Sequence, residues 1–244
     1  MSNYTKSTNF TAKDALPTGN PSKIIKGSEH DAEYDAIATA IATKLDTTGS
    51  AASLTALPAA EGGSLVLIAT LTPSSAATTE FTTSSNADMF NGTYKKIIID
   101  IVSIKPATDD DHLMIRVGTG AGPTYQTTSY EWGLVQAGVS SSADDGSTAS
   151  SVTAGIRMHR SGSGNGVGNG AGEKYQGQVF VNDLSGSDFI MFNYQGSYIR
   201  SDGVMQGTNG YGRYTASVGP ITALRFLFVS GNIASGTIKA YGVK

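Results

Sequence analysis

Apolar residues recur along this chain with two different periods. Tyr34, Ile37, Ala38, Ile41 and Leu45 fall at i, i+3, i+4, i+7 and i+11, which puts one narrow apolar stripe on an α-helix. The helix is predicted over residues 28–46. Ser28 with Asp31 three positions later forms a capping-box-like start, and Glu29 and Asp31 suit the positive helix N-terminus. Thr47-Thr48-Gly49-Ser50 ends it, and the Ala/Ser-rich run to Gly63 reads as a linker. Before the helix, residues 1–26 are polar, and Pro17, Gly19 and Pro21 predict an extended arm.

From residue 64 to 244 the period falls to two. Strands are predicted at Leu65–Leu71, Leu113–Val117, Val179–Val181, Phe189–Tyr194, Leu224–Val229 and Ile238–Val243. Ile97–Ile104 is apolar at adjacent positions, the pattern of a central strand covered on both faces. Asn91-Gly92 predicts a hairpin turn. Two stretches read as long loops: 136–151 (QAGVSSSADDGSTASS) and 161–172 (SGSGNGVGNGAG), disordered or ordered by a neighbouring subunit. The fold class is therefore mainly β, a β-sandwich of jelly-roll type with an extended N-terminal arm and one short helix. The expected division is an arm and helix over 1–60 and a sandwich over 64–244.

Composition narrows the functions. Gly, Ser and Thr fill roughly a third of the 244 positions, and charged residues only 15%, against about 25% in an average domain. A net charge of −3 gives no cationic field for nucleic acid or an anionic membrane. The longest apolar run is far short of the roughly 20 residues that span a bilayer, and the polar start MSNYTKSTNF carries no signal-like apolar region. With no cysteine, disulfides and thiol chemistry are excluded, and stability outside a cell would have to come from another source such as oligomerisation.

Candidate chemistry is sparse. Asp109-Asp110-Asp111-His112 is the densest polar cluster, but neighbouring residues on a strand alternate in direction and do not converge on a metal unaided. A solvated turn is the simpler expectation. The Gly run from Gly162 to Gly172 lacks both the nucleophile-elbow and the phosphate-loop context. Carboxylate pairs for glycoside cleavage would be Asp183 with Asp188, or Asp144 with Asp145, all in turn-like sequence. No catalytic residue, metal or cofactor is expected. Tyr125, Tyr130, Trp132, Tyr198 and Tyr211 sit among small residues, where flat rings can stack on sugars, anchor an interface or pack a core.

The segment NYTKSTNFTAKDALPTGNPSKIIKGSEHDAEYDAIATAIATKLD resembles the leading segment of tailed-bacteriophage fibre and virion proteins. The matching positions are Asp14, Leu16, Pro17, Gly19, Pro21, Lys23, Ile25 and Gly27, then Ile37, Ala38, Ile41 and Lys44. The ending FLFVSGNIASGTIKAYGVK, and the start of the β-region at Leu67-Ile68-Ala69-Thr70 with Tyr94 before Ile97–Val102, are similar to phage tail and fibre β-domains. Residues 120–215 carry no such likeness.

The resemblance implies a non-enzymatic phage structural protein, located on the virion after assembly in the host cytoplasm. It would be a trimeric fibre or knob, attached through its N-terminal segment to other capsid or tail proteins. Leu16, Ile24, Ile25, Tyr34, Ile37, Ile41 and Leu45 would make the attachment or trimer contacts. Tail-fibre binding of a host-surface glycan or protein is the first expectation. Capsid decoration (a cement protein or head fibre) is the alternative, and a polysaccharide-degrading tail protein a third.

Overall fold

The computed structural model describes residues 4–42, 65–139, 145–182, 184–186, 189–216 and 220–243. The chain divides into two compact units, Met1–Glu61 and Gly62–Lys244.

In the first unit, helix α1 (Phe10–Asp14), a 3₁₀ turn (Pro21–Lys23) and helix α2 (Gly27–Ala42) follow one another. The arm is not extended throughout. Asn9 caps α1 by accepting from the Ala12 amide at 3.2 Å, and Asn20 caps the 3₁₀ turn by accepting from Ser22. Lysines then tie the turns together. Lys13 makes an ion pair with Glu29 at 2.7 Å and donates to the Ser22 and Ile24 carbonyls. Lys23 donates to the Asp14 and Leu16 carbonyls. The start of α2 is stabilised by Glu29 accepting from the Lys26 amide at 2.9 Å. That is the capping-box contact shifted two positions from the expected Ser28/Asp31 pair. Glu33, on the next turn, accepts from the Ser7 and Thr8 amides at 3.0 and 3.1 Å and from the hydroxyls of Ser7 and Tyr4. Phe10 stacks on His30, their ring centroids 5.4 Å apart. The arm is thus folded back onto the helix by the Glu29 and Glu33 carboxylates and the His30 ring.

Among its described residues the second unit is all β apart from one helical turn, α3 (Ala87–Phe90). Its strands are β1 (Leu65–Leu71), β2 (Thr79–Thr82), β3 (Lys96–Pro106), β4 (Leu113–Thr119), β5 (Thr124–Tyr125), β6 (Tyr130–Gly138) and β7 (Asp145–Thr153). They continue with β8 (Ile156–Arg157), β9 (Tyr175–Asn182), β10 (Met191–Ile199), β11 (Met205–Tyr214), β12 (Ile221–Phe228) and β13 (Ile233–Val243). Two antiparallel sheets result, one of eight strands in the order β1-β13-β3-β9-β10-β11-β6-β7, the other β2-β12-β4-β5 with β8 also on β4. A single core joins them. Ile97, Ile99, Val179 and Phe192 from the larger sheet pack with Phe81, Ile115, Leu224 and Phe226 from the smaller. The mainly β sandwich expected from the period-two pattern is what forms.

Three local expectations change. Asn91-Gly92 does not close a hairpin: Asn91 caps the C-terminus of α3 and Gly92 takes the left-handed conformation (φ 82°) that ends a helical turn. In β3, Ile97, Ile99 and Ile101 are buried while Val102 is exposed, so only one face of this inner strand is covered. The end of β6 and the start of β7 run through the 136–151 stretch that reads as loop, and β11 lies where no strand was expected, because small and polar residues there leave no apolar alternation in the sequence.

Those strand glycines have a physical reason. Tyr194 on β10 lies directly opposite Gly210 on β11, and a Cβ at Gly210 would overlap the Tyr194 ring. Likewise Gly196 makes room for Tyr175, and Gly242 for Tyr94. Each glycine is the space a flat ring occupies across the strand pair.

Gly210→Ala should therefore destabilise the β-unit by roughly 1–3 kcal/mol through overpacking. Gly207→Ala, where the new Cβ meets nothing closer than 3.9 Å, should be neutral or slightly stabilising. Urea unfolding of both variants tests the pair. In the first unit the Glu33 carboxyl is held at about 2 against an ordinary 4.5, chiefly by the Ser7 hydroxyl and then by Tyr4. A depressed acid stabilises the clasp above its unfolded pKa and loses that contribution as pH falls from about 4.5 to about 2. The Ser7 and Thr8 amides should lose exchange protection across that window, and Glu33→Gln should expose them at neutral pH.

Candidate functional site

The exposed side of the eight-stranded sheet is built by register. Along one transverse row, Lys239 on β13 faces Asp100 on β3, Asp100 faces Gln178 on β9, Gln178 faces Gln195 on β10, and Gln195 faces Asn209 on β11. The next row is small: Ser197 faces Gly207, and Gly207 faces Ala137 on β6. Side chains short in one row and long in the next leave a groove of about 760 Å³ across five strands, with Val102 and Val135 near its ends. On the far side of the amide row, Tyr211 lies over Gly133, its partner in register, and remains 63% exposed. Beyond it Arg213 pairs with Glu131 at 2.7 Å and covers the Phe189 ring.

The acidic cluster at one end of the sandwich does different work. Asp111 is buried and accepts from the amides of His112 (2.7 Å), Val229 (3.1 Å) and Ser230 (3.2 Å). Asp110 accepts from Gly164 and Gly166, both at 2.7 Å, and Asp109 from Asn169. The Gly-rich 161–172 stretch is therefore ordered by its own chain's carboxylates, not by a neighbouring subunit, and Val167 within it is fully buried. The expected solvated turn is a hub of backbone capping. Among the described residues no group of three or more His, Asp and Glu side chains is arranged to hold a metal ion.

Beside the hub, His159 accepts the Leu113 amide on Nε2 at 3.1 Å, and its ring packs 4.6 Å from Tyr198. Burial, with His112 adjacent, pushes its pKa down to about 3, so the ring is neutral in its packed position. Tyr198 donates to the Asn165 carbonyl at 2.6 Å, holding the Gly-rich stretch against the core.

The candidate aromatic contacts separate sharply. Tyr130, Trp132 and Tyr198 are core residues, and none offers a ring to a ligand. Tyr130 donates to the Gln126 carbonyl and receives the Val117 amide. Tyr125 is half-buried beneath the Arg225 guanidinium, 3.2 Å from its ring centroid. Of the five, Tyr211 alone is a free ring. On the first unit Ile24, Ile25, Tyr34 and Ile41 are exposed, Ile37 and Leu16 are half-buried, and Leu45 lies outside the described residues. Asp144, Asp183 and Asp188 also lie outside them, while Asp145 opens β7. Gln178, Gln195 and Asn209 were not anticipated. Of these only Gln195 falls in one of the Gln-Gly steps at 176–177, 195–196 and 206–207, so the row itself left little trace in the sequence.

The molecule is thus a two-sheet antiparallel β-sandwich with a grooved polar face, preceded by a small helical unit. No protein-family model, curated protein or solved structure matches it. No helix among the described residues is long and apolar enough to cross a membrane.

Asp111→Ala would leave the His112 and Ser230 amides without an acceptor, while Val229 keeps the His112 carbonyl at 3.1 Å, and should cost on the order of 2–3 kcal/mol. Asp109→Ala, at an exposed position with one amide partner, should cost less than about 1 kcal/mol. Chemical denaturation of the two variants distinguishes a capping hub from a solvated turn.

Proposed function

We propose that this chain is a non-enzymatic structural protein of a bacteriophage particle, a trimeric knob whose N-terminal unit attaches to the virion and whose β-unit faces outward to bind the host surface. The observation that carries the attachment half is the apolar set on the first unit. Tyr34 and Ile41, seven positions apart on α2, are 66% and 63% exposed, and Ile24 beside the helix start is 67% exposed. Side chains of this kind on so small a unit are expected to be covered by another surface. Two helical turns between Tyr34 and Ile41, with Ile37 between them, suit a short helix junction about a threefold axis. The segment's resemblance to phage virion proteins supplies the partner. We read the β-unit as a jelly roll, β1-β13-β3-β9 against β2-β12-β4-β5, with β10, β11, β6 and β7 extending one sheet.

The outward groove favours host binding over capsid decoration, since a cement protein needs no polar cleft on its free face. The mass measured by light scattering should be close to three times 25.2 kDa and should persist on dilution. Tyr34→Ser with Ile41→Ser should lower it to one chain and abolish incorporation into particles, with the β-unit still folded. A stable native monomer that incorporates normally when these residues are changed would sink the attachment reading. Antibody label over the head instead of the tail would move the assignment to capsid decoration.

A further inference from the structure

The amide row on the eight-stranded sheet is unused by the fold. Among the described residues, the side chains of Gln178, Gln195 and Asn209 make no hydrogen bond to the rest of the chain, although they stand side by side on three adjacent strands. Each amide presents a donor and an acceptor together, the combination that pairs with neighbouring hydroxyls on a sugar ring. Adjacent strands are about 4.8 Å apart, close to the repeat of an extended pyranose chain, so successive amides meet successive rings. The small Ser197–Gly207–Ala137 row beside them supplies depth, and the groove volume of about 760 Å³ falls in the range of ligand sites. The groove holds one carboxylate, Asp100, with Lys239 facing it across the strand pair; the local charge selects neither an anionic nor a cationic ligand. Tyr211, two positions along β11 from Asn209, adds an exposed ring for the C–H face of a sugar.

We propose that this groove binds a neutral oligosaccharide lying across β3, β9, β10 and β11, with Gln178, Gln195 and Asn209 reading its hydroxyls and Tyr211 stacking at the flank. A second copy of the chain is a poorer occupant, because the buried centre of a homodimer interface is enriched in apolar side chains and this face is amide-lined. The proposal names the ligand class for the host-binding half of the function above, and rests on that reading only for where the sugar comes from.

The test is calorimetric titration of the full chain with a panel of neutral gluco-, galacto- and manno-hexasaccharides, with polygalacturonate fragments as the anionic control. At least one neutral member should bind. Gln195→Ala and Asn209→Ala should each weaken it about tenfold, an amide's worth of contact. Gly207→Trp, at an open outward position, should fill the groove and abolish binding with an unchanged thermal unfolding midpoint. No binding across the panel, equal binding of the anionic control, or binding that survives Gly207→Trp would overturn the proposal. So would a change of oligomeric mass in Gly207→Trp, which would make the face a contact between copies. Particle adsorption separates the two readings. If Gly207→Trp abolishes sugar binding while particles still adsorb, the groove stands as a sugar site and is not the host receptor site. If no sugar binds but particles adsorb, the groove proposal alone fails.

Discussion

The β-unit depends on flat rings laid across glycines. Tyr194 over Gly210, Tyr175 over Gly196 and Tyr94 over Gly242 fill the inside of the larger sheet, and Tyr211 over Gly133 repeats the device outside. A glycine inside a strand ordinarily weakens it, since it gives up backbone freedom and contributes no side chain to packing. Here the neighbouring ring supplies the missing contact. The tyrosine gains a surface to lie on, and two strands are registered by shape as well as by hydrogen bonds. Without the glycines the rings would have to leave the core; without the rings the glycine-bearing strands would have little to hold them.

The same device shapes the outward face. Glycine and other small residues placed opposite one another in register cut a trough, and the amides stand along its side because they occupy the next row. Groove and core packing are two consequences of one sequence choice on β9, β10 and β11. The scaffold beneath is closed at one end by the Asp109–Asp111 hub, whose carboxylates take up amides from the Gly-rich stretch and from the β12–β13 connection. A rigid sheet under a polar trough suits recognition, where preorganised groups cost less to immobilise on binding.

What the sequence made legible followed periodicity. The Tyr34/Ile37/Ile41 stripe announced α2, and Ile97–Ile101, Leu113–Val117 and Leu224–Phe228 announced strands, because one face of each is plainly apolar. Strands β6 and β11 were hidden: in Gln206-Gly207-Thr208-Asn209-Gly210 the inward positions are glycine and polar residues, and the apolar content of the layer comes from tyrosines elsewhere in the chain. The candidate site was hidden for a related reason. Gln178, Gln195 and Asn209 become a row only when three strands are aligned, and no window along the chain contains that alignment. For Trp132 and Tyr130 the sequence left binding surface and core packing both open, because their small neighbours resemble a loop; in the fold both rings are buried.

The Asp111 carboxylate joins its own strand entrance to amides 118 and 119 positions further along the chain. Closing so long a loop yields no reward until the strands between have formed. Closure of this end is therefore a late step, as is the pairing of β1 with β13, which joins Leu65 to Val243 across a longer loop still. Translation must pass Ser230 before the hub can close, and until β12 arrives the edge of β4 that it pairs stands open. The order in which the chain emerges thus fixes which strand edges wait longest for their partners.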